Sequence, residues 1–316
     1  MKLIKTFLAI CAVALLSAGT IQAQDLTAAT DTYNAAAKAL NDGNYIPALE
    51  NFNKALKMLE GLGEDGEIML AEAKGIIPQI HLRYGKELAA NHDIEGAVIQ
   101  LKKAIETGKS YSVADVVTEA TDLLPQVLMA DANNLLNEGK FAEAVVEYTR
   151  VLKIDPENGT AFLRIGMAQS RLNKEAEALA AFEKAIEFGE KESASKQISV
   201  IYLKKSVAFM NAKNWTGVFD NAKKSNGYSE SGQALKLMGI SAVQLKKFDD
   251  AISSLEQYYA MDTNAKDKAS TIYNLATAYE GKGNNAKACG YYKQILNDPT
   301  YKQIAEYKVK TQLKCN

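Results

Sequence analysis

The chain has 316 residues, with 37 Lys and Arg against 38 Asp and Glu, two His and three Cys. A formal net charge of −1, with both signs interspersed, gives none of the electrostatic footprint of a nucleic-acid binder, and no nucleic-acid partner is expected. The length exceeds what one ordinary core needs and suits a repeat array.

The first residues read as an export signal. Lys2 and Lys5 form a short positive segment, and the apolar run that follows from Phe7 is too short to cross a bilayer as a stable helix. Ile21-Gln22-Ala23, then Gln24, is an acceptable cleavage context. A signal peptide over 1–23 is expected, and with it a periplasmic or secreted protein. Cys11 lies inside the apolar run behind the bulky Ile10, so the segment does not fit a lipid-anchored precursor. No later run is apolar enough to span a membrane, so no transmembrane segment is expected in the mature chain.

From residue 24 onward one pattern recurs: a small residue, a large one four on, and a third three further. It reads Ala48-Phe52-Ala55, Ala97-Leu101-Ala104, Ala144-Tyr148-Val151, Ala178-Phe182-Ala185, Val218-Ala222-Ser225, Ala251-Leu255-Tyr258 and Ala288-Tyr292-Ile295. Offsets of four and seven share one helix face. Twelve residues before each first member stands another small residue: Ala36, Gly85, Ala132, Gly166, Ser206, Gly239 or Ala276. Turn signals such as Asp42-Gly43-Asn44 and Lys282-Gly283-Asn284 separate the two small sites. Each unit is therefore helix, tight turn, helix. The small residues let the two helices approach, and the large residue fills a gap beside them.

Unit spacing is uneven. The signature alanines lie 49 and 47 residues apart in the first two intervals and 33 to 40 apart later. The excess falls at 64–77 and 111–124, which read as helical extensions into the next first helix. Ile77-Pro78-Gln79 and Leu124-Pro125-Gln126 hold the same place in the second and third copies. Proline lacks an N–H and fits a first turn or a kink, so each extension is expected to bend into, or give way to, the repeat helix there.

The predicted organisation is a signal over 1–23 and an N-terminal array over 24–188, with copies near 29–62, 78–111, 125–158 and 159–188. A C-terminal array over 189–298 follows, with copies near 199–231, 232–265 and 269–298. The charged run 189–197 reads as a flexible joint between the arrays. A polar-backed capping helix over 299–316 closes the series. Cys289 and Cys315 could pair in an oxidising compartment, or remain two free thiols.

These motifs resemble the tetratricopeptide repeat, whose period is about 34 residues. "NEGKFAEAVVEYTRVLKIDPEN" at 137–158 is the best copy, and the fifth copy is degenerate at all three signature positions. The resemblance implies an all-α solenoid of about seven helix pairs plus a C-terminal capping helix. It also implies a concave groove, lined by the first helices, that takes a protein or peptide partner. By register the candidate groove residues are Tyr33, Lys86, Asn133, Asn137, Arg171, Asn211, Lys236, Gln244 and Tyr273, interleaved with apolar Leu82, Met129, Leu163, Met167, Leu203 and Met210. Some arrays of this kind clamp a terminal carboxylate with Lys and Asn, then Lys and Arg two copies on. Here Asn133 fits, but Met129 stands where lysine is needed and Arg164 where asparagine is expected, so the clamp is absent as a set.

No catalytic constellation appears. "GYSESG" at 227–232 has one residue too many for a nucleophile elbow and no strand before it, and "GKGNN" at 281–285 lacks a phosphate-cradle pattern. On one helix His81 and His92 would lie about 16 Å apart, too far to share a metal ion. No enzyme activity, metal or cofactor is expected. The expected function is an exported, non-catalytic scaffold that binds a partner in its groove. The alternative is a structural subunit of a cell-envelope assembly that self-associates or docks through its convex face or ends.

Overall fold

The computed structural model describes residues 20–261 and 265–315. Among these residues there are fifteen α-helices and no strand. The expected export signal lies almost wholly outside them. The described residues group into two compact units, the first closing at Asn133 and the second opening at Asn134.

In the first unit, α1 (Thr20–Asn41) turns into α2 (Tyr45–Glu60), and α3 (Glu67–Ala90) into α4 (Ile94–Ser110). A 3-10 turn at Gly63–Gly66 precedes α3. Helix α2 shows why the pattern folds. Ala48, Phe52, Ala55 and Leu59 recur at helical spacing and are all fully buried, and Leu49 and Leu56 beside them are nearly so. Burying one such large side chain stabilises by about 2–3 kcal/mol. Phe52 meets the ring of Tyr33 on α1 edge-on at 5.2 Å, and Tyr45 stacks on Tyr84 of α3 at 5.2 Å. The aromatic after the turn thus packs against the next hairpin.

Helix α5 (Ala114–Asn137) carries the boundary between the units. The second unit continues with α6 (Phe141–Ile154), α7 (Gly159–Arg171), α8 (Glu175–Glu187), α9 (Lys191–Asn211), α10 (Trp215–Tyr228), α11 (Gly232–Gln244), α12 (Phe248–Met261), α13 (Ala265–Gly281) and α14 (Asn285–Gln294). The described chain order is therefore seven helix–turn–helix pairs. A short α15 (Lys302–Tyr307) and a π-helical turn at Lys308–Gln312 follow. This last segment buries Ala305 and Val309 against the hairpin before it, as a capping element does.

Two expectations are corrected. Helices α3 and α5 run unbroken through Pro78 and Pro125, so neither helix gives way at its proline. Each proline sits mid-helix, where it removes one backbone hydrogen bond; the flanking apolar pairs bury Ile77 and Leu124 and hold the helix together. The stretch read as a joint, 189–197, becomes the first two turns of α9 from Lys191 onward. Gly189, with φ +99, makes the turn before it.

All seven hairpin turns place a left-handed residue five positions before the signature residue: Gly43, His92, Gly139, Asn173, Lys213, Lys246 and Gly283. The sequence shows only the three glycines. The other four bear a steric cost that glycine avoids. His92 therefore stands in a turn rather than on α3 with His81.

Within a hairpin, the small residue of the first helix faces the large residue of the second. A Cβ on Gly166 would meet the Phe182 ring at 2.6 Å, and one on Gly239 would meet Leu255 at 2.3 Å. The fifth hairpin solves the same problem differently. Ser206 Oγ donates to Val218 O at 2.9 Å, and Ser199 and Ser225 bond through their hydroxyls at 2.9 Å, all four residues being buried.

Candidate functional site

The first helices provide the surface expected to meet a partner. Their predicted groove residues divide into two groups. One group is already engaged inside the protein. Tyr33 OH donates to Glu72 on α3 at 3.2 Å, and Lys86 pairs with Glu119 on α5. Lys236 pairs with Asp267 on α13 at 2.7 Å, and Tyr273 stacks on Tyr301 at 4.9 Å. Asn133 is half-buried. These residues link one hairpin to the next, so the sequence register placed them on the right helices but did not show their partners.

The second group is exposed: Asn137, Arg171, Asn211 and Gln244. Each is the last residue of its first helix, α5, α7, α9 and α11 respectively. All four leave their side-chain groups to solvent. The apolar members are buried or half-buried. Leu82 and Leu163 are in the core, and Met167, Leu203 and Met210 are partly covered.

Charge is uneven among three successive first helices and two of the second helices of the second unit. Helices α7, α9 and α11 carry seven Lys and Arg and a single acid, Glu192. The second helices α8 and α12 carry seven acids and one lysine. Some of the cations are answered locally: Lys196 by Glu192 at 2.7 Å, Lys205 by Glu175, and Lys236 by Asp267. The Lys236 hydrogen bond holds the Asp267 carboxyl below its ordinary range.

Lys204 and Val200 on α9 lie outside the predicted groove set; both are exposed, Val200 at 46 %. Arg164 is half-buried; its guanidinium lies 3.9 Å from the Met167 sulfur, and its Nε is buried without a partner among the described residues. Gln169 Oε1 and Ser170 Oγ are likewise orphaned, so α7 holds all three such atoms found among the described residues. The signal available in sequence was the near absence of acids on α7, α9 and α11.

Elsewhere, polar groups are structural. His81 is 7 % exposed and places Nδ1 2.7 Å from Gln100 Oε1; burial lowers its pKa. Glu280 accepts from Tyr292 OH at 2.9 Å, Lys308 at 2.7 Å and Gln312 at 2.6 Å, tying the terminal segment down. Cys289 and Cys315 are joined as a disulfide, with Cα atoms 5.7 Å apart. Among the described residues no His, Cys, Asp and Glu cluster could hold a metal ion, and no helix is long and apolar enough to cross a membrane.

The Tetratricopeptide repeat family pattern matches residues 129–193 and 236–302, two blocks that each hold two hairpins. Over those two blocks the chain is similar to the tetratricopeptide repeat. Its fifth hairpin, with hydroxyls in place of the ring-on-glycine contact, lies between the two matched blocks. No curated protein matches the chain. Among solved structures, YrrB, described as a TPR protein with an unusual peptide-binding site, is 18 % identical. That match covers 58 % of this chain and 91 % of the other at a TM-score of 0.34. The TPR domain of P58(IPK) is 13 % identical over 90 % of this chain and 98 % of that one, at 0.31. TTC0263, a thermophilic TPR protein of Thermus thermophilus, is 17 % identical over 59 % and 99 %, at 0.27.

Proposed function

We propose that the chain is an exported, non-catalytic scaffold that binds a segment of a partner protein along the solvent-facing side of its first helices. The observation that carries this reading is the row of exposed polar side chains at the ends of successive first helices, Asn137, Arg171, Asn211 and Gln244, none bonded to another described residue. Such groups suit a polypeptide backbone, and the flexible thioether of Met167 suits varied side chains beside it. Export draws support from the order of charge, apolar run and cleavage context at the N-terminus, and from the disulfide, which persists in oxidising compartments. The test is affinity capture with the wild-type protein and with a variant changed to Ala at these four positions. Loss of specific partners from the variant is expected; equal recovery of every partner by both would refute the reading.

A second reading has its own observation. Ile99 on α4 and Val146 on α6 occupy the same register, two residues after the signature alanine, and are 50 % and 59 % exposed. An envelope subunit docking through its second helices would use such positions. Light scattering over a range of concentrations decides it: self-association lost on I99S/V146S supports the subunit, and a strict monomer contradicts it.

A further inference from the structure

The second unit shows what kind of partner its first helices fit. Among the described residues, four of the seven cations on α7, α9 and α11 have no carboxylate beside them: Arg164, Arg171, Lys191 and Lys204. Lys191 opens α9 and lies about 140° around the helix from Lys204. The other three share the solvent side. Arg164 and Lys204 hold one register position, two before the small residues Gly166 and Ser206. Met167 and Val207 hold another, one after them, and both are half-buried. Val200 lies one turn before Lys204 on the same side and is 46 % exposed. Helices α7 and α9 touch each other. The face is thus an apolar strip, Met167, Val200 and Val207, bordered by three unanswered cations.

We propose that this face of α7 and α9 docks an acidic polypeptide segment in which Asp or Glu recurs every third residue with an aliphatic residue between. This rests on the scaffold reading and names the partner's chemistry. Two independent observations favour it. Acids are nearly absent from three successive first helices, which carry seven Lys and Arg against Glu192 alone, so their cations are not balanced within those helices. Arg164 is also half-buried with no ion-pair partner among the described residues, so a carboxylate on the outer nitrogens of its guanidinium would form a charge-assisted hydrogen bond at a partly desolvated site. Neighbouring helix axes lie roughly 8–10 Å apart, and an extended chain advances about 3.3 Å per residue, so acids three residues apart can reach Arg164 and Lys204 together. A nucleic acid would require aromatic platforms, and this strip has none.

The test uses fluorescence anisotropy with the purified protein and a short labelled Glu-Leu-Gly repeat peptide. Its Gln-Leu-Gly counterpart, a single-stranded oligonucleotide and phosphatidylglycerol vesicles serve as comparison probes. The Glu peptide is expected to bind and to weaken about tenfold in R164Q/R171Q/K204Q. It should also weaken as salt rises from about 50 to about 300 mM. The variant K102Q/K109Q/K223Q removes the same charge elsewhere and should bind as wild type; helical circular dichroism confirms that both variants fold. Equal binding of the Glu peptide by R164Q/R171Q/K204Q, or preference for the oligonucleotide or the vesicles, would overturn the proposal. Binding of the Gln peptide as tightly as the Glu peptide, abolished by M167S/V200S/V207S, would sink the acidic specificity and leave the scaffold reading standing.

Discussion

The fourth and fifth hairpins, α7–α8 and α9–α10, build the same shape from opposite chemistry. In the fourth, glycine makes room for a buried ring: Phe182 lies over Gly166 and is fully buried. In the fifth, Ser206 and Ala222 replace that pair, and hydroxyl bonds from Ser206, Ser199 and Ser225 join the helices. Packing a ring stabilises through apolar area, and its loss leaves a cavity. A buried hydroxyl pair stabilises little in net terms but costs much when one partner is removed. The repeat therefore requires close helix approach rather than any one residue.

Substitutions in the two hairpins separate ring packing from hydroxyl bonding. The largest effect belongs to Phe182→Ala, expected to cost about 3–5 kcal/mol in urea unfolding, because the fourth hairpin has nothing else to fill the gap. Ala222 is already the corresponding residue of the fifth hairpin, and its helices are nonetheless joined. Gly166→Ala follows, at about 1–3 kcal/mol, since the new Cβ would lie 2.6 Å from the ring. Ser225→Ala should cost about 1–2 kcal/mol by leaving the buried Ser199 groups short of a partner, whereas a packing-only account predicts almost none. The smallest effect contrasts the two turns. Lys213→Gly should gain about 0.5–1 kcal/mol by relieving a left-handed φ of 55°, while Asn173→Gly should change stability less, because asparagine tolerates that region. Thermal or urea midpoints of the two glycine variants, measured side by side, check this.

The repeat was legible in sequence because its period is written in small and large residues. Ala48-Phe52-Ala55 and Gly166-Phe182 declare both helices and their contact. The left-handed turns were legible only where glycine marks them; at His92, Lys213 and Lys246 the turn is imposed by the two helices it joins, and nothing local announces it. Of the two readings of Pro78 and Pro125, a bend or an end of the helix, the continuous α3 and α5 exclude the end. Proline predicts a break from local chemistry, but buried Ile77 and Leu124 beside them keep the helices continuous. The candidate surface was half legible. Register placed Lys86 and Lys236 on the first helices, yet which carboxylates answer them depends on neighbouring helices. Arg164 and Lys204 emerged only once their lack of such answers could be seen.

The central claim is that the exposed side of the first helices, not that of the second, meets the partner. Site-specific photo-crosslinking in the living cell tests it most directly, with the photoreactive residue placed in turn at Val200, Val207, Ile99 and Val146. Partner adducts are expected from Val200 and Val207 and none from Ile99 and Val146. Adducts confined to Ile99 and Val146 would contradict it.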